Sequence, residues 1–368
     1  MTAAQVISFA RGAPSLDIID VDGLKAAAVE AFEVDPVAVT GYGPGAGYLP
    51  LREWLAAKHG VTADQVLLTN GSLQADAFVF EHFVSPGDDV VVERPTYDRT
   101  LLNLRSLGAK VHQVGLDEDG LDVDELRRLL EAGVRPKLAH VIPNFQNPAG
   151  VTLSLERRRA LVDLAREYRF TIFEDDPYAD IRFRGERLPT LLSLDDPADP
   201  VVVAAGSFTK TVCPGLRQGH LIGPLPVIAE ITKRAVNTYI SPNMLAAVTI
   251  HRFCVSGAID RSIAKVQAAL AERAHLLAEA LRREVPECRF TEPDGGYFLW
   301  VDLPEDVDVS GLAPAAAARG VAVVKGTDFL LQGGDHSLRL AYSAVTPDLI
   351  DEGVRRLAAA ITEVRTGT

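Results

Sequence analysis

The sequence predicts an α/β fold: a mostly parallel β-sheet of seven strands covered by helices on both faces, followed by a smaller α+β unit. Apolar, β-branched runs alternate with amphipathic stretches from residue 65 to residue 222, which is the pattern of strands joined by crossover helices. A long amphipathic stretch over residues 258–284 then indicates a connector. We expect an N-terminal arm and first helix that are part of the small domain (1–40), a large domain (41–250) and the rest of the small domain (251–368).

The predicted elements follow one another in a regular order. An arm leads into a helix at about 21–32, and a loop rich in glycine and proline precedes a helix at 51–58. The strands of the large sheet are predicted at 65–69, 89–93, 110–114, 138–142, 170–174, 201–205 and 220–222. The helices between these strands include 73–83, 99–107, 123–132 and 155–168, and a further helix is predicted at 225–236, after the sheet pattern stops. The smaller unit contains strands at 290–303, 321–324 and 337–342 and a closing helix at 347–364.

The composition argues against several classes of protein. The 368 residues are 47% hydrophobic and carry a net charge of −13, so a basic nucleic-acid-binding surface is not expected. Cys213, Cys254 and Cys288 lie in unrelated contexts, which indicates neither a disulfide framework nor a metal site and is compatible with a reducing cytoplasm. We expect neither a secretory leader nor a membrane span.

The loop after the strand at 201–205 is the most informative stretch. Lys210 lies on it, and a partly desolvated lysine amine is a nucleophile for aldehydes. Ser207 offers a hydroxyl and Arg217 a planar guanidinium, both of which suit a phosphate. An aldehyde and a phosphate on one molecule indicate pyridoxal 5'-phosphate. A nucleotide-binding P-loop is not expected, because it would need glycine where Thr209 stands. This segment alone does not exclude the alternative that Lys210 is an ordinary solvated surface lysine.

Other strand ends carry further candidate residues. Ser72 opens a helix whose N terminus is an anion site, although simple N-capping is an alternative role for its side chain. Tyr97 follows the second strand, where it either stacks on a planar ring or packs in the core. Asp175 ends the fifth strand and would face a pyridinium nitrogen. The alternative is that Asp175 and Asp176 are exposed carboxylates at the start of a helix.

Together these residues resemble the class I/II pyridoxal-phosphate aminotransferases of fold type I, most closely the branch of α-aminoadipate and kynurenine-type enzymes. The resemblance spans nearly the whole chain and rests on these motifs: Tyr42-x-x-x-x-Gly47, Asn70-Gly71-Ser72, Pro95-Thr96-Tyr97, Asn147-Pro148-Ala149-Gly150, Asp175-x-x-Tyr178, Ser207-x-x-Lys210, Pro214-Gly215-x-Arg217 and Arg339. It implies an enzyme that moves an amino group between an α-amino acid and a 2-oxo acid. It also implies a homodimer, and the composition leads us to expect a cytoplasmic protein that binds neither nucleic acid nor membranes.

The resemblance further implies a role for each motif. Lys210 would form the Schiff base and move the substrate's α-proton, while Asp175 would keep the pyridine nitrogen protonated. Asn147 and Tyr178 would hydrogen-bond the ring hydroxyl, and Tyr97 would stack on the ring. The rest of the cofactor site would comprise Ser72, Leu73, Ser207, Arg217 and, from the other subunit, Tyr42. Substrate would meet Gly12, Asn147 and Arg339, the last clamping the α-carboxylate bidentately.

Departures from the family pattern leave alternatives open. Lys325-Gly326-Thr327-Asp328-Phe329 replaces the usual Pro-Gly before a late phenylalanine, and His220 stands where an aromatic residue is common. A cation at Lys325 would favour an acidic substrate, unless it is an ordinary solvated lysine. A pyridoxal-phosphate enzyme that eliminates, replaces or cyclises its substrate also stays open. We do not expect a DNA-binding regulator, a class that adds a winged-helix segment before this fold.

Overall fold

The computed structural model describes residues 6–366, so residues 1–5 of the predicted arm and the last two residues of the predicted small domain lie outside the described residues. The helices are Val21–Val34 (α1), Pro36–Thr40 (α2), Leu49–His59 (α3), Ser72–Phe83 (α4), Asp98–Ser106 (α5), Val123–Glu131 (α6), Leu155–Tyr168 (α7), Leu191–Leu194 (α8), Leu225–Tyr239 (α9), Met244–Val255 (α10), Ala258–Glu284 (α11), Val309–Ala318 (α12) and Pro347–Thr366 (α13). The strands are Ile7–Ser8 (β1), Val66–Thr69 (β2), Asp89–Arg94 (β3), Lys110–Asp117 (β4), Gly120–Leu121 (β5), Leu138–Val141 (β6), Thr171–Asp175 (β7), Val202–Ser207 (β8), Gly219–Ile222 (β9), Phe298–Asp302 (β10), Val321–Ala322 (β11), Val324–Lys325 (β12) and Ser337–Ala341 (β13).

The large sheet has the strand order β2-β9-β8-β7-β6-β3-β4-β5. From β8 to β4 neighbouring strands run parallel, whereas β9 is antiparallel to both β8 and β2. All seven predicted strands form, with their ends shifted by a few residues. The two-residue strand β5 extends the sheet by folding back antiparallel on β4. The predicted, mostly parallel α/β sheet is confirmed.

The parallel strands bring distant parts of the chain to one edge of the sheet. Strands such as β6 are buried along their whole length, since helices cover both faces. Their carboxyl ends meet at the same edge, and ligands of such sheets bind there. The loops that follow β3, β6, β7 and β8 carry Tyr97, Asn147, Tyr178 and Lys210, respectively.

The smaller sheet has the order β10-β13-β12, with antiparallel pairing, and β1 pairs separately with β11. The strand predicted at 290–303 is longer than β10, because Gly295 and Gly296 form a turn. Gly296 has a φ of +75°, and a Cβ on Gly295 would lie 2.2 Å from the carbonyl oxygen of Ile181. A side chain cannot be accommodated at that distance, so glycine is required where the turn packs against the large domain.

Helix α10 was missed from sequence because its residues are apolar around most of its circumference. Met244, Val248, Ile250 and Phe253 are all buried, so no polar face marks a helical period. The helix packs against α1, where Ala27 and Ala31 share its core.

The hydrophobic cores show which unit each segment packs with. The predicted domain boundaries at 40/41 and 250/251 stay a prediction. Ile7 and Phe9 belong to the core around the small sheet, together with α11 and α13. Helix α1 belongs instead to a core beside β2. The first 40 residues therefore contribute to both units. Within the described residues, no helix is both long and apolar enough to cross a membrane.

Candidate active site

A cavity of about 360 Å³ opens at the carboxyl edge of the large sheet, where β10 and β13 of the small sheet form its opposite wall. Its walls include every predicted site residue except Tyr42: Gly12, Ser72, Leu73, Tyr97, Asn147, Asp175, Tyr178, Ser207, Lys210, Arg217 and Arg339. These residues come from the arm, the start of α4, several strand ends and β13. Tertiary folding is therefore what brings them together.

Lys210 lies in the turn directly after β8 and extends its amine into the cavity. Its Nζ donates a hydrogen bond of 2.6 Å to the carbonyl oxygen of Gly12 in the arm. Burial, aided by the charge of Arg339, lowers the pKa of Lys210 to about 8, and Asp175 only partly opposes this shift. The neutral amine, which acts as nucleophile and proton acceptor, is therefore accessible near neutral pH.

The start of α4 and the turn that carries Arg217 form an anion cradle. Gly71 is the N-cap of α4 and Ser72 is its first residue, so the alternative in which the Ser72 side chain caps the helix is wrong. Gly71 has a φ of +90°, and a Cβ there would lie 2.3 Å from Nη2 of Arg217. Glycine thus lets the guanidinium lie over the helix N terminus, where free N–H groups attract anions. The hydroxyl of Ser207 accepts from the Thr209 N–H at 3.1 Å and keeps its own hydrogen to donate.

Asp175 ends β7 with only 5% of its surface exposed, so the alternative of an exposed carboxylate is wrong for it. Nε2 of His140 lies 3.5 Å from its Oδ2, while its Oδ1 has no hydrogen-bond partner among the described residues. Such an oxygen is costly to bury unless a donor meets it. Asp176 accepts a 2.7 Å hydrogen bond from Asn144, and burial raises its pKa to about 6.

Asp76 lines the same cavity and was not found from the sequence. It lies one turn after Ser72 on α4, is 3% exposed, and its Oδ1 has no partner in the described part of the chain. Burial and the neighbouring Asp175 raise the pKa of Asp76 well above its ordinary value. Asp76 lies four residues after Ser72, so both side chains are on one face of the helix. This spacing could have identified Asp76 from the sequence.

Buried contacts hold the three side chains that are expected to meet the cofactor ring, which are Asn147, Tyr178 and Tyr97. Asn147 lies on the loop after β6, and Gln146 ties that loop to β3 by donating to the carboxylate of Glu93 at 2.8 Å. Tyr178 is almost fully buried, and burial raises its pKa far above the ordinary value, so its hydroxyl is a permanent donor. Tyr97 is partly buried, and the N–H of neighbouring Thr96 donates to the carbonyl oxygen of Phe329 in the small domain.

Arg339 lies on β13 at the far wall of the cavity and is 7% exposed. Its Nη1 donates to Oδ1 of Asn147 at 3.0 Å and its Nη2 to the carbonyl oxygen of Ala10 at 2.9 Å. Its guanidinium carbon lies 4.3 Å from the ring centroid of Phe298 and 4.9 Å from that of Phe329. The two rings fix the plane of the guanidinium, and this preorganises it for a planar carboxylate.

Three singled-out residues lie away from this cavity. Tyr42 is 85% exposed on the glycine-rich loop before α3. Lys325 is partly exposed, with Nζ 3.9 Å from Oδ1 of Asp328. His220 lines a separate, smaller cavity, where its ring lies 5.9 Å from those of His59 and Phe208. Lys325 and His220 are thus not among the residues that line the Lys210 cavity.

The residues that line the cavity fit pyridoxal phosphate. The cradle of Ser72, Ser207 and Arg217 suits its phosphate, the pKa of Lys210 suits its aldehyde, and the unpartnered oxygen of Asp175 suits a protonated ring nitrogen. No other ligand is needed to explain why these groups converge.

The Asp76→Asn variant should melt at a higher temperature than the wild-type chain, and the difference should be larger at pH 8 than at pH 5. A carboxyl whose folded pKa is raised stabilises the fold when protonated, below its ordinary pKa near 4, and loses that contribution as pH rises towards its folded pKa. Asparagine does not titrate. Thermal melts of the cofactor-free protein would test this, with the exposed Asp163→Asn as control for net charge. A difference that is the same at both pH values would contradict the prediction.

Comparisons with known proteins agree with this geometry. A family model for aminotransferase class I and II matches residues 4–357. The aromatic-amino-acid aminotransferase 1 of Thermococcus litoralis is 33% identical over 98% of this chain and 89% of its own length.

Solved structures extend the similarity to the fold. The crystal structure of the α-aminoadipate aminotransferase of Thermus thermophilus, complexed with N-(5'-phosphopyridoxyl)-L-leucine, superposes with a TM-score of 0.94 at 33% identity, covering 99% of this chain and 94% of that one. The kynurenine aminotransferase of Pyrococcus horikoshii superposes with a TM-score of 0.92 at 32% identity, covering 98% and 92%. The chain therefore belongs to the class I and II aminotransferases of fold type I, in the branch of the aminoadipate and kynurenine enzymes, and its cofactor is pyridoxal phosphate.

Proposed function

We propose that this aminotransferase acts on α-amino acids and 2-oxo acids whose carboxylate binds Arg339 while their α-carbon faces Lys210. One observation carries the proposal: the amine and the guanidinium line one cavity and are both tied to the arm, through the carbonyl oxygens of Gly12 and Ala10. Asn147 lines the same cavity, and its Oδ1 accepts a hydrogen bond from Arg339. It therefore connects the expected cofactor site to the expected carboxylate site. A carboxylate and an α-carbon are the features that every α-amino acid offers to such a pair of groups.

Pyridoxal phosphate supplies an aldehyde that takes up an amino group and a ring that accepts electrons. The chain supplies the placement and the proton transfers. Nζ of Lys210 would hold the cofactor through its aldehyde, and in the reaction it would accept the substrate's α-proton and return it, because its lowered pKa suits both directions. Asp175 would hold the proton of the ring nitrogen, and Nε2 of His140 lies 3.5 Å behind its Oδ2.

The remaining contacts would orient the cofactor. Ser72, Ser207, Arg217 and the amides at Ser72 and Leu73 would bind the phosphate at the N terminus of α4. Tyr97 would stack on the ring, and Tyr178 would donate to the ring hydroxyl. Tyr97, Tyr178 and Phe298 line the cavity, and with cofactor and substrate bound their rings would limit the water around Lys210 and Arg339.

The reaction can be tested by withholding the second substrate. Cofactor-saturated protein mixed with one accepted amino acid should form about one molecule of 2-oxo acid per site and no ammonia, because the amino group stays on the cofactor. A different 2-oxo acid should then release a new amino acid. Continued turnover with ammonia, a cyclised product or a leaving group would support the non-transaminating alternative. Borohydride should fix the cofactor to the wild-type chain but not to Lys210→Ala.

Arg339→Ala should lower kcat/KM for amino acids at least tenfold, about 1.4 kcal/mol, because it removes a bidentate charge-assisted contact. Steady-state kinetics with an amino acid and its decarboxylated amine measure the effect, and the amine should be a poor substrate of the wild-type enzyme. Lys325→Ala is the control, since it is a cation on the neighbouring strand that does not line the cavity. If Lys325→Ala altered the preference between acidic and neutral amino acids, Lys325 would take part in side-chain recognition after all.

A homodimer is the second part of the proposal. The loop of Tyr42 packs on the end of α9 and on the segment that follows it, since Gly43 N–H donates to Ser241 and a Cβ on Gly45 would lie 2.1 Å from Val236. Exposed apolar side chains lie on α1 and α2 before this loop, at the start of α3 after it, and along the segment from α9 to α10: Val29, Phe32, Val37, Leu49, Val236, Ile240 and Leu245. Apolar patches of this kind mark interaction surfaces. A second copy seated there would bring its Tyr42 to the phosphate cradle, as the family resemblance implies.

Complementation between two defective chains would test the shared site. Tyr42→Ala should weaken cofactor binding, because a hydrogen bond to a charged group is worth about 1.5–3 kcal/mol. When Tyr42→Ala and Lys210→Ala chains exchange subunits, half the dimers are hybrids and one site in each is intact, so about a quarter of wild-type activity should appear at limiting cofactor. Activity no greater than that of unmixed Tyr42→Ala would show that Tyr42 does not serve the other subunit.

We also propose that the protein is cytoplasmic and that its domains divide as the sequence predicts. The three cysteines are free, two of them buried, and this suits the reducing cytoplasm that the sequence predicts. The division into residues 1–40, 41–250 and 251–368 fits a cavity that lies between the large and small sheets, with the arm covering it.

A further inference from the structure

Tyr297 contacts both ends of the Lys210 residue. It is fully buried, directly precedes β10 and lies in the small domain. Its hydroxyl donates a hydrogen bond of 2.9 Å to the backbone carbonyl oxygen of Lys210. Its ring centroid lies 4.9 Å from the Lys210 amine. One side chain of the small domain therefore touches the backbone and the reactive end of a lysine in the large domain.

The position of Tyr297 is itself rigidly determined. The turn at Gly295 and Gly296 packs against the backbone of Ile181, and the N–H of Gly296 donates to the Ile181 carbonyl oxygen at 2.8 Å. The ring of Tyr297 lies 5.7 Å from that of Tyr178. Burial raises the pKa of Tyr297 far above its ordinary value, so the hydroxyl keeps its proton and remains a donor.

The backbone around Lys210 depends on contacts of this kind, because it belongs to neither a helix nor a strand. The next carbonyl oxygen, that of Thr211, accepts a 2.6 Å hydrogen bond from the hydroxyl of Ser262 on α11. Two hydroxyls from outside the large sheet thus hold two consecutive carbonyl groups of the lysine turn. Small displacements of a reacting group cost a large part of its rate, because the reaction needs a near-attack geometry.

We propose that Tyr297 is a positioning residue for Lys210: its hydroxyl anchors the lysine backbone and its ring confines the amine to the cavity. Tyr297 acts through Lys210 and need not touch substrate. Its contacts also make the placement of the lysine depend on the small domain, which carries Arg339. The inference rests on the proposed role of Lys210 as the cofactor-binding and proton-transferring residue.

A matched pair of variants separates positioning from packing. Tyr342 is also fully buried in the small domain, and its hydroxyl donates at 2.9 Å to a backbone carbonyl oxygen, that of Gly295. Tyr297→Phe and Tyr342→Phe each remove one such hydrogen bond and keep the ring. They should lower the melting temperature of the full chain by similar amounts.

Of the two phenylalanine variants, Tyr297→Phe should have by far the larger effect on the chemistry of Lys210. It should lower kcat by about tenfold or more with KM within about twofold, and slow re-attachment of cofactor to the stripped chain to a similar extent. Tyr297→Leu, which also removes the ring, should slow both further, while Tyr342→Phe, whose hydrogen bond reaches Lys210 only indirectly through the Gly295 turn, should change both by less than about threefold.

Equal kinetics and equal re-attachment rates for the two phenylalanine variants would overturn the proposal and leave Tyr297 a packing residue. That outcome is distinct from failure of the Lys210 assignment, which would appear as a borohydride-stable adduct in Lys210→Ala.

Discussion

The amine of Lys210 is buried in a cavity whose walls come from both sheets, and desolvation makes its charged form costly. The cations around it, above all Arg339, add to this effect, whereas Asp175 offsets part of it. The net effect is a lysine pKa of about 8, so the amine can lose its proton near neutral pH. In that form it can attack a carbonyl carbon and exchange a proton. Closing the cavity requires the arm, the large sheet and the small sheet at once, so the reactivity of the lysine depends on the complete fold.

Buried carboxyl groups organise the loops at the same edge of the sheet. Glu93 accepts from the Ile142 N–H and from Gln146, and burial raises its pKa to about 8. Glu174 accepts from the N–H groups of Leu191 and Leu192, and burial raises its pKa to about 7. Glu93 thereby joins β3 to the loop after β6, and Glu174 joins β7 to the start of α8. Asp175 differs from them, since one of its oxygens is left for a donor within the cavity.

The arm shows how a short segment can couple two reacting groups. Ile7 pairs with Val321 of the small domain, Phe9 fills its core, and the carbonyl oxygens of Ala10 and Gly12 then accept from Arg339 and Lys210. A Cβ on Gly12 would lie 2.6 Å from the ring of Phe298, so this segment fits closely against the cavity wall. Both donors are charged when protonated, and in the absence of substrate the arm carbonyls satisfy part of their hydrogen-bonding capacity. Substrate carboxylate would compete for the groups that the arm now holds.

The sequence by itself determined the alternation of strands and helices, the family and the motif residues of the Lys210 cavity, because these rest on local periodicity and on short motifs at strand ends. Lys210, Asp175, Ser72 and Arg339 could be singled out since each pairs a special residue type with a recognisable position. The tertiary structure alone decided what surrounds them. In the sequence Asp76 looks like an ordinary polar residue of a helix, and only the fold buries it beside Asp175. Tyr297 looks like a core aromatic residue, and only the fold shows that its hydroxyl donates to Lys210. Such contacts join residues far apart in the chain, and neither periodicity nor motif spacing carries information about them.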